Sequence, residues 1–318
     1  MSKLPLVIVN PASAGGATRS AWPRQASDLR THFGAFNCAF TENAGDATRL
    51  AEAGARDGRK LIIACGGDGT VSEVANGILR SGREAILGIL PSGTGGDFRR
   101  TLKIPSRTAD AALTLRNGKT RKIDVGRATY YDSKGYEVTR YFLGVASFGM
   151  SAEVIARVKE DDKGLLQTAT PRIIGGKLSY AIATAQATLA KPRTRVRVKL
   201  DGSTERHLTV AQFCIANARY FGGGMKIAPD ALLDDGVFDV VVIDDIGALK
   251  ILANGPQLYF GTHLSVGGVH LTHAAMVEAR PANKDEKIPI EIDGELPGYL
   301  PAKFEILPRA LHIRTVTV

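Results

Sequence analysis

The chain has 318 residues, 44% hydrophobic and 23% charged, with a formal net charge of +9. That length exceeds one ordinary core and suits two domains, and the basic balance fits nucleic acid, an anionic membrane face or a phosphorylated small molecule. Runs of five or six basic residues, recognition-helix patterns and zinc-finger spacings are all missing, which argues against nucleic acid, and no window approaches the roughly 18–20 apolar residues of a membrane span.

In chain order, Leu6–Val9 is a short apolar run closed by Asn10-Pro11, too short for a signal peptide and expected to be a buried strand. Residues 23–33 read as a helix, and 46–57 as a second, Ala-rich helix with Asp46 as its N-cap. Residues 61–65 form a second buried strand. Val71, Val74, Ala75, Ile78 and Leu79 then fall on one helical face. A third strand over 85–90 and a helix over 108–116 complete a βαβα order, which predicts a parallel sheet covered by helices. After about Lys122 the pattern changes. Val196, Val198 and Leu200 alternate with Arg195, Arg197 and Lys199, the period of a half-exposed strand. Further strands are expected over 210–216, 238–243, 269–279, 288–292 and 303–307, separated by Asp201-Gly202, Asp235-Gly236 and Asp293-Gly294 turns. This half is expected to be an antiparallel sandwich with helical insertions near 151–159 and 173–189.

Cys38, Cys65 and Cys214 lie far apart without a CxxC pair, so neither a disulfide framework nor a zinc site is expected. Cys65 and Cys214 sit in apolar runs and read as reduced core residues, which points to a cytoplasmic compartment. The six histidines show no metal-ligand pairing.

Three loops carry the chemistry. Gly66-Gly67-Asp68-Gly69-Thr70 follows one strand and opens a helix. Glycines there let backbone N–H groups approach phosphate oxygens, and the helix N-terminus adds about half a positive charge. Asp68 would repel a phosphate unless Mg²⁺ or a water lies between them; the plainer reading is a capping Asp in a tight turn. Pro91-Ser92-Gly93-Thr94-Gly95-Gly96-Asp97-Phe98 follows the next strand, and Asn10-Pro11-Ala12-Ser13-Ala14-Gly15-Gly16 the first. All three loops fall at the carboxyl edge of the expected sheet, where ligands bind. None is a GxxxxGK[ST] loop or a GxGxxG fingerprint. Asp293-Gly294 ends a strand whose Ile288, Ile290 and Ile292 alternate with Pro289 and Glu291, giving one apolar face; alone it reads as a simple turn.

In this order and spacing the three loops resemble the catalytic domain of the diacylglycerol kinase family, which includes bacterial lipid kinases and sphingosine and ceramide kinases. Later segments match as well: Lys122-Ile123-Asp124-Val125-Gly126, Phe148-Gly149, Gly222-Gly223-Gly224, Ala228-Pro229, Asp234-Asp235-Gly236 and Ile292-Asp293-Gly294-Glu295. The resemblance implies an NAD kinase-like and diacylglycerol kinase-like fold. Its α/β nucleotide-binding domain would span residues 1–125, with a last strand, about 308–318, returning to it. A β-rich lipid-substrate domain would span 126–307, with the active site in the cleft between. It implies an ATP-dependent lipid kinase with Mg²⁺ as cofactor. Asn10, Gly66, Gly67, Asp68, Gly69, Thr70, Glu73, Gly93 and Thr94 would contact the nucleotide. Asp68 and Asp124 would join a water and Mg²⁺ network, Asp293 would be the general base, and Glu295 would sit beside it. Asp234, Asp235 and the Val237 carbonyl match a structural metal site of some members; from the residues alone, an ordinary turn stands equal to it.

One departure is visible. The family pattern Gly-Thr-x-Asn-Asp-Phe-Ala-Arg has Gly96 at its Asn and Arg99 at its Ala. The acceptor implied is diacylglycerol, with ceramide, sphingosine or phosphatidylglycerol as alternatives. Leu165, Leu166, Ile173, Ile174, Leu178, Tyr180 and Ile182, flanked by Lys163, Arg172, Lys177, Lys191 and Arg193, suit either a membrane-meeting surface or a core helix. Partners would be ATP and a lipid met by transient contact with a membrane, with no nucleic acid; a homodimer is left open. The competing readings are a soluble small-molecule kinase resembling NAD kinase, which shares the Gly-Gly-Asp-Gly-Thr turn, and a catalytically weak lipid or nucleotide sensor.

Overall fold

The apolar runs of the first third build one sheet. A computed structural model describes residues 3–92, 96–155 and 193–317. In it, β1 (Leu6–Val9) pairs in parallel with β2 (Asn37–Phe40) and β3 (Leu61–Gly66), and β3 with β4 (Ile86–Pro91). β1 and β3 are buried along their whole length, as expected for strands with helices on both faces. The helices are α1 (Ala17–His32), α2 (Asp46–Arg56), α3 (Asp68–Arg80), α4 (Asp97–Thr101) and α5 (Thr108–Asn117). α2 and α3 approach so closely that a Cβ on Gly77 would lie 2.3 Å from the Thr48 carbonyl oxygen.

The second half consists of β5 (Lys119–Asp132), β6 (Glu137–Phe142), β7 (Val145–Gly149), β8 (Thr194–Leu200), β9 (Arg206–Ala216), β10 (Phe238–Asp244), helix α6 (Ala248–Phe260), β11 (Val269–Ala274), β12 (Met276–Pro281), β13 (Pro289–Ile292) and β14 (Glu295–Thr315). Its pairings are antiparallel, and six of the strands close on themselves in the order β14–β12–β8–β9–β7–β13–β14. Inside lie Phe142, Phe148, Phe213, Phe238 and Phe304, with the Phe148 and Phe213 rings stacked at 4.7 Å. β14 is 21 residues long. It leaves this ring at its far end, where His312 and Ile313 pair in parallel with Ile86 and Leu87 of β4.

Several expectations change. The helix expected from residue 23 begins at Ala17 and runs through Pro23. α3 opens at Asp68 rather than near Val71, so Asp68, Gly69 and Thr70 occupy its first turn. Asp46 is the first residue of α2, not its N-cap; its carboxylate accepts the N–H groups of Glu42 and Asn43 at 2.9 Å. The single strand expected over 269–279 is two, split at Ala275. There the Asp201 carboxylate takes the N–H groups of Ala275 and Met276, at 2.9 and 2.8 Å, and the Ala275 carbonyl accepts the Ile306 N–H. Residues 150–155 are helical; the helix expected over 173–189 lies outside the described residues.

Candidate active site

The loops after β1, β3 and β4 are tied to one another by short polar side chains. The Asn10 amide donates to Thr70 Oγ1 at 3.1 Å and its oxygen accepts the Ala12 N–H at 3.0 Å. Ser13, Thr18 and Ser92 form a hydroxyl chain with both links at 2.6 Å, and the Ser92 N–H donates to the Gly66 carbonyl. Gly66 itself lies so close to Thr70 that a Cβ would meet its Oγ1 at 2.3 Å. Asn10, Gly66, Gly67, Gly69 and Thr70 are thereby brought together around the first turn of α3, whose N–H groups have no intrahelical partner. Gly93 and Thr94 lie outside the described residues.

Asp68 spans the gap to the third loop. Its carboxylate accepts the N–H groups of Gly96 at 2.8 Å, Asp97 at 2.9 Å and Phe98 at 3.2 Å, capping α4. Asp97, which sequence reading left without a role, accepts the Gly223 N–H at 2.7 Å and pairs with Arg100. Its carboxyl is pushed above the usual carboxylate range by burial and by the Asp68 charge, against the pull of Gly223 and Arg100. The two departures from the family pattern meet here: Gly96 is left-handed at φ +96°, and a Cβ on it would lie 3.0 Å from Arg99 Nε. Arg99 fills the space that a side chain at position 96 would take, and donates to the Ile104 carbonyl at 2.8 Å.

Opposite stands the β13–β14 hairpin. Its two turn residues, Asp293 and Gly294, have φ of +48° and +84°, the left-handed pair of a tight hairpin turn. The Asp293 carboxylate is partly buried and accepts the N–H groups of Leu143 at 3.1 Å and Gly144 at 2.9 Å. Burial raises its pKa, opposed by those two amides, by Arg140 and by Ser72 of α3, whose buried hydroxyl lies beside it without a well-formed hydrogen bond. Glu295 pairs with Arg140 at 2.6 Å, and its Oε1 would lie 3.9 Å from a Cβ on Gly69. The hairpin therefore meets the first turn of α3.

Two residues expected at the site, Asp124 and Glu73, hold backbone N–H groups. Asp124 is fully buried and clamps three segments: its carboxylate accepts the N–H of Gly236 and of Arg309, both at 2.7 Å. This places it against the Asp234-Asp235-Gly236 turn and the bulge of β14. Glu73 accepts the Gly45 and Ala47 N–H groups at 3.1 Å, capping α2, so both its oxygens are directed at backbone. In the Asp234-Asp235-Gly236 turn, Asp235 accepts the Val237 N–H at 3.3 Å, and Asp234 lies 3.7 Å from Arg121. Among the described residues no three His, Cys, Asp or Glu side chains converge on one point. The described residues thus offer no all-protein cage. Asp68 and Asp97 fit Mg²⁺ through water or a remaining lone pair, since both already accept backbone N–H groups, and Mg²⁺ keeps several waters and binds through one or two carboxylates plus phosphates.

Residues 5–128 match the model of the diacylglycerol kinase catalytic domain, and residues 144–315 that of the YegS C-terminal NAD kinase beta sandwich-like domain. The diacylglycerol kinase of Bacillus subtilis (strain 168) is 31% identical over 274 residues, covering 86% of this chain and 83% of the relative. The chain belongs to the diacylglycerol kinase family. Within that family, the diacylglycerol kinase of Staphylococcus carnosus (strain TM300) is 27% identical and covers 99% of this chain and 96% of its own length. A solved diacylglycerol kinase structure from Bacillus anthracis str. Sterne superposes with a TM-score of 0.70 at 22% identity, covering 98% of this chain and 97% of that one, and shows the same fold. The chain is therefore a kinase with a two-domain fold, a catalytic domain followed by a β domain. No helix among the described residues is long and apolar enough to cross a membrane.

Proposed function

We propose that the chain transfers the γ-phosphoryl group of ATP to a hydroxyl of a lipid, with diacylglycerol as the acceptor. The observation that carries this is the meeting of the Asp293-Gly294-Glu295 hairpin with the glycine-rich first turn of α3. Phosphoryl transfer asks a protein for alignment and charge neutralisation. The free N–H groups of Asp68, Gly69 and Thr70 face the phosphates and offset their charge. Asp68 and Asp97 would hold Mg²⁺, which when bound offsets charge on the transferring phosphate. Asp293 takes the proton of the acceptor hydroxyl. Its raised pKa makes it a stronger base than an ordinary Asp, and the Leu143 and Gly144 amides fix its direction. Arg140, held by Glu295, limits how far that pKa rises.

The enzyme meets its acceptor at a membrane face. Leu249 and Phe260 of α6, 81% and 73% exposed, supply apolar surface for that contact, and the +9 charge favours anionic lipid. The test is transfer of label from radiolabelled ATP, with Mg²⁺, to diacylglycerol micelles. Asp293→Asn is expected to cut turnover by about 10²–10⁴-fold. Wild-type turnover in that variant removes Asp293 from the mechanism, and label in NAD but in no lipid overturns the acceptor.

A further inference from the structure

Behind the turn that carries Asp293 lies a buried carboxylate that the mechanism above does not use. Glu291 is only 3% exposed. It faces away from Ile290 and Ile292, which belong to the Phe-rich core, and pairs across to Ser147 of β7. Glu291 Oε1 accepts the Gly294 N–H at 2.9 Å, and Oε2 accepts the Ser147 hydroxyl. Ser147 Oγ lies 2.7 Å from Ser151 Oγ, and Ser151 Oγ accepts from Gln212 Nε2 at 2.9 Å.

The direction of this chain is fixed. Gln212 Oε1 accepts the Ser151 N–H at 2.8 Å, so its amide nitrogen must face Ser151 Oγ and Cys214. Ser151, already accepting from Gln212, has its proton left for Ser147 or for Glu291 itself, and Ser147 spends its own on Glu291. Every donor therefore points toward Glu291, which is built to accept at both oxygens. Protonating it removes one acceptor position and leaves a hydroxyl proton of the chain without its partner.

We propose that Glu291 is a positioning residue for the acceptor base: fed by Gln212, Ser151 and Ser147, its carboxylate holds the Gly294 amide and so fixes the turn that presents Asp293, with a negative charge behind it. The catalytic consequence rests on the lipid-kinase reading; the positioning does not. The titratable groups facing Glu291 are Asp293 from the turn and Cys214 from β9. Burial pushes the Cys214 thiol up to about 12, which leaves it neutral. Burial, together with the Asp293 charge, pushes Glu291 itself up to about 7, against the hydrogen bonds from Ser147, Gly294 and Ser151. Glu291 therefore gains its charge within the neutral range.

The test follows the Asp293 carboxyl carbon by NMR across the neutral range in wild type, E291Q and S147A, beside initial rates of transfer to diacylglycerol micelles. In wild type the Asp293 signal is expected to carry a second inflection where Glu291 titrates. That inflection disappears in E291Q, and S147A moves it to higher pH. E291Q is expected to lose about tenfold to hundredfold in kcat, with the KM for ATP unchanged and the acid limb of the rate profile displaced. Identical Asp293 titration in wild type and both variants, with the Gly294 amide signal unmoved, overturns the proposal. Should E291Q fail to fold, S147A alone decides by the same inflection. Coupling in a wild-type protein that labels no lipid sinks the kinase reading and supports the positioning. Labelled lipid without coupling sinks the positioning alone.

Discussion

At the scale of single residues, the Asp293 carboxylate is placed by an absence. Gly144 lies so close to Asp293 that a Cβ on it would stand 2.8 Å from Oδ1, while its N–H holds that same oxygen. Position 144 is not among the left-handed residues, so alanine fits the backbone and only the carboxylate has to move. Gly144→Ala is expected to lower kcat by about tenfold to hundredfold through misplacement of the base, with the KM for ATP unchanged; steady-state rates on diacylglycerol micelles check it. A wild-type kcat there means that Asp293 tolerates displacement. The family resemblance alone pointed to Asp293 as a base, and only its Asp-Gly turn, local chemistry after an alternating strand, was legible in the residues. Glu291 was not: alternation placed it on the face away from the isoleucines, which reads as solvent, yet that face is covered by β7 and β9 side chains. Nor were the tasks of Asp124 and Glu73 legible. Their partners lie far away in the chain, with 185 positions separating Asp124 from Arg309, and a carboxylate that takes backbone N–H groups at such range leaves no periodic trace.

At the scale of elements, α3 joins the two halves. Among the described residues β6 pairs along one edge, with β5. At Tyr141 its other edge is completed by one side chain, since the Asn76 amide donates to the Tyr141 carbonyl at 2.8 Å and accepts its N–H at 3.0 Å. Asn76 is 4% exposed and also donates to Ser72. Asn76→Ala leaves a donor and an acceptor of β6 without partners, and is expected to destabilise the chain by roughly 1–3 kcal/mol. A drop in the urea midpoint without a change in slope is the signature; an unchanged midpoint means that water replaces the amide at no cost. The apolar face of α3 was readable from its period, and so were the buried strands β1, β3 and β4. β5 escaped because its first four residues, Lys119, Thr120, Arg121 and Lys122, are all exposed and show no apolar alternation. β14 was read in two pieces, over 303–307 and, through the resemblance, about 308–318, because Pro301 and Pro308 interrupt a strand that bulges and continues past both.

At the scale of the whole molecule, β5 and β14 run through both halves, so neither half can lose its strands alone, and unfolding is expected to be one cooperative transition. Its dependence on pH follows from the buried acids. Glu291 titrates near 7 in the folded chain against an ordinary 4.5. Between those values the folded state binds the proton and the unfolded state does not, so stability falls as pH rises through that window. Fully developed above pH 7, the loss from Glu291 is on the order of 3 kcal/mol. Asp293, Asp97 and Asp239 are raised as well, and add to the same slope. Asp46 and Asp57 are lowered and act at more acid pH. Urea unfolding of wild type and Glu291→Gln, on both sides of this window, separates the contributions: the variant should lose most of the slope and become the more stable of the two at the alkaline end. Parallel curves for the two proteins mean that Glu291 carries no charge cost. A charge that weakens the fold at the pH where it sits behind Asp293 is the pattern expected of a group kept for the reaction rather than for the fold.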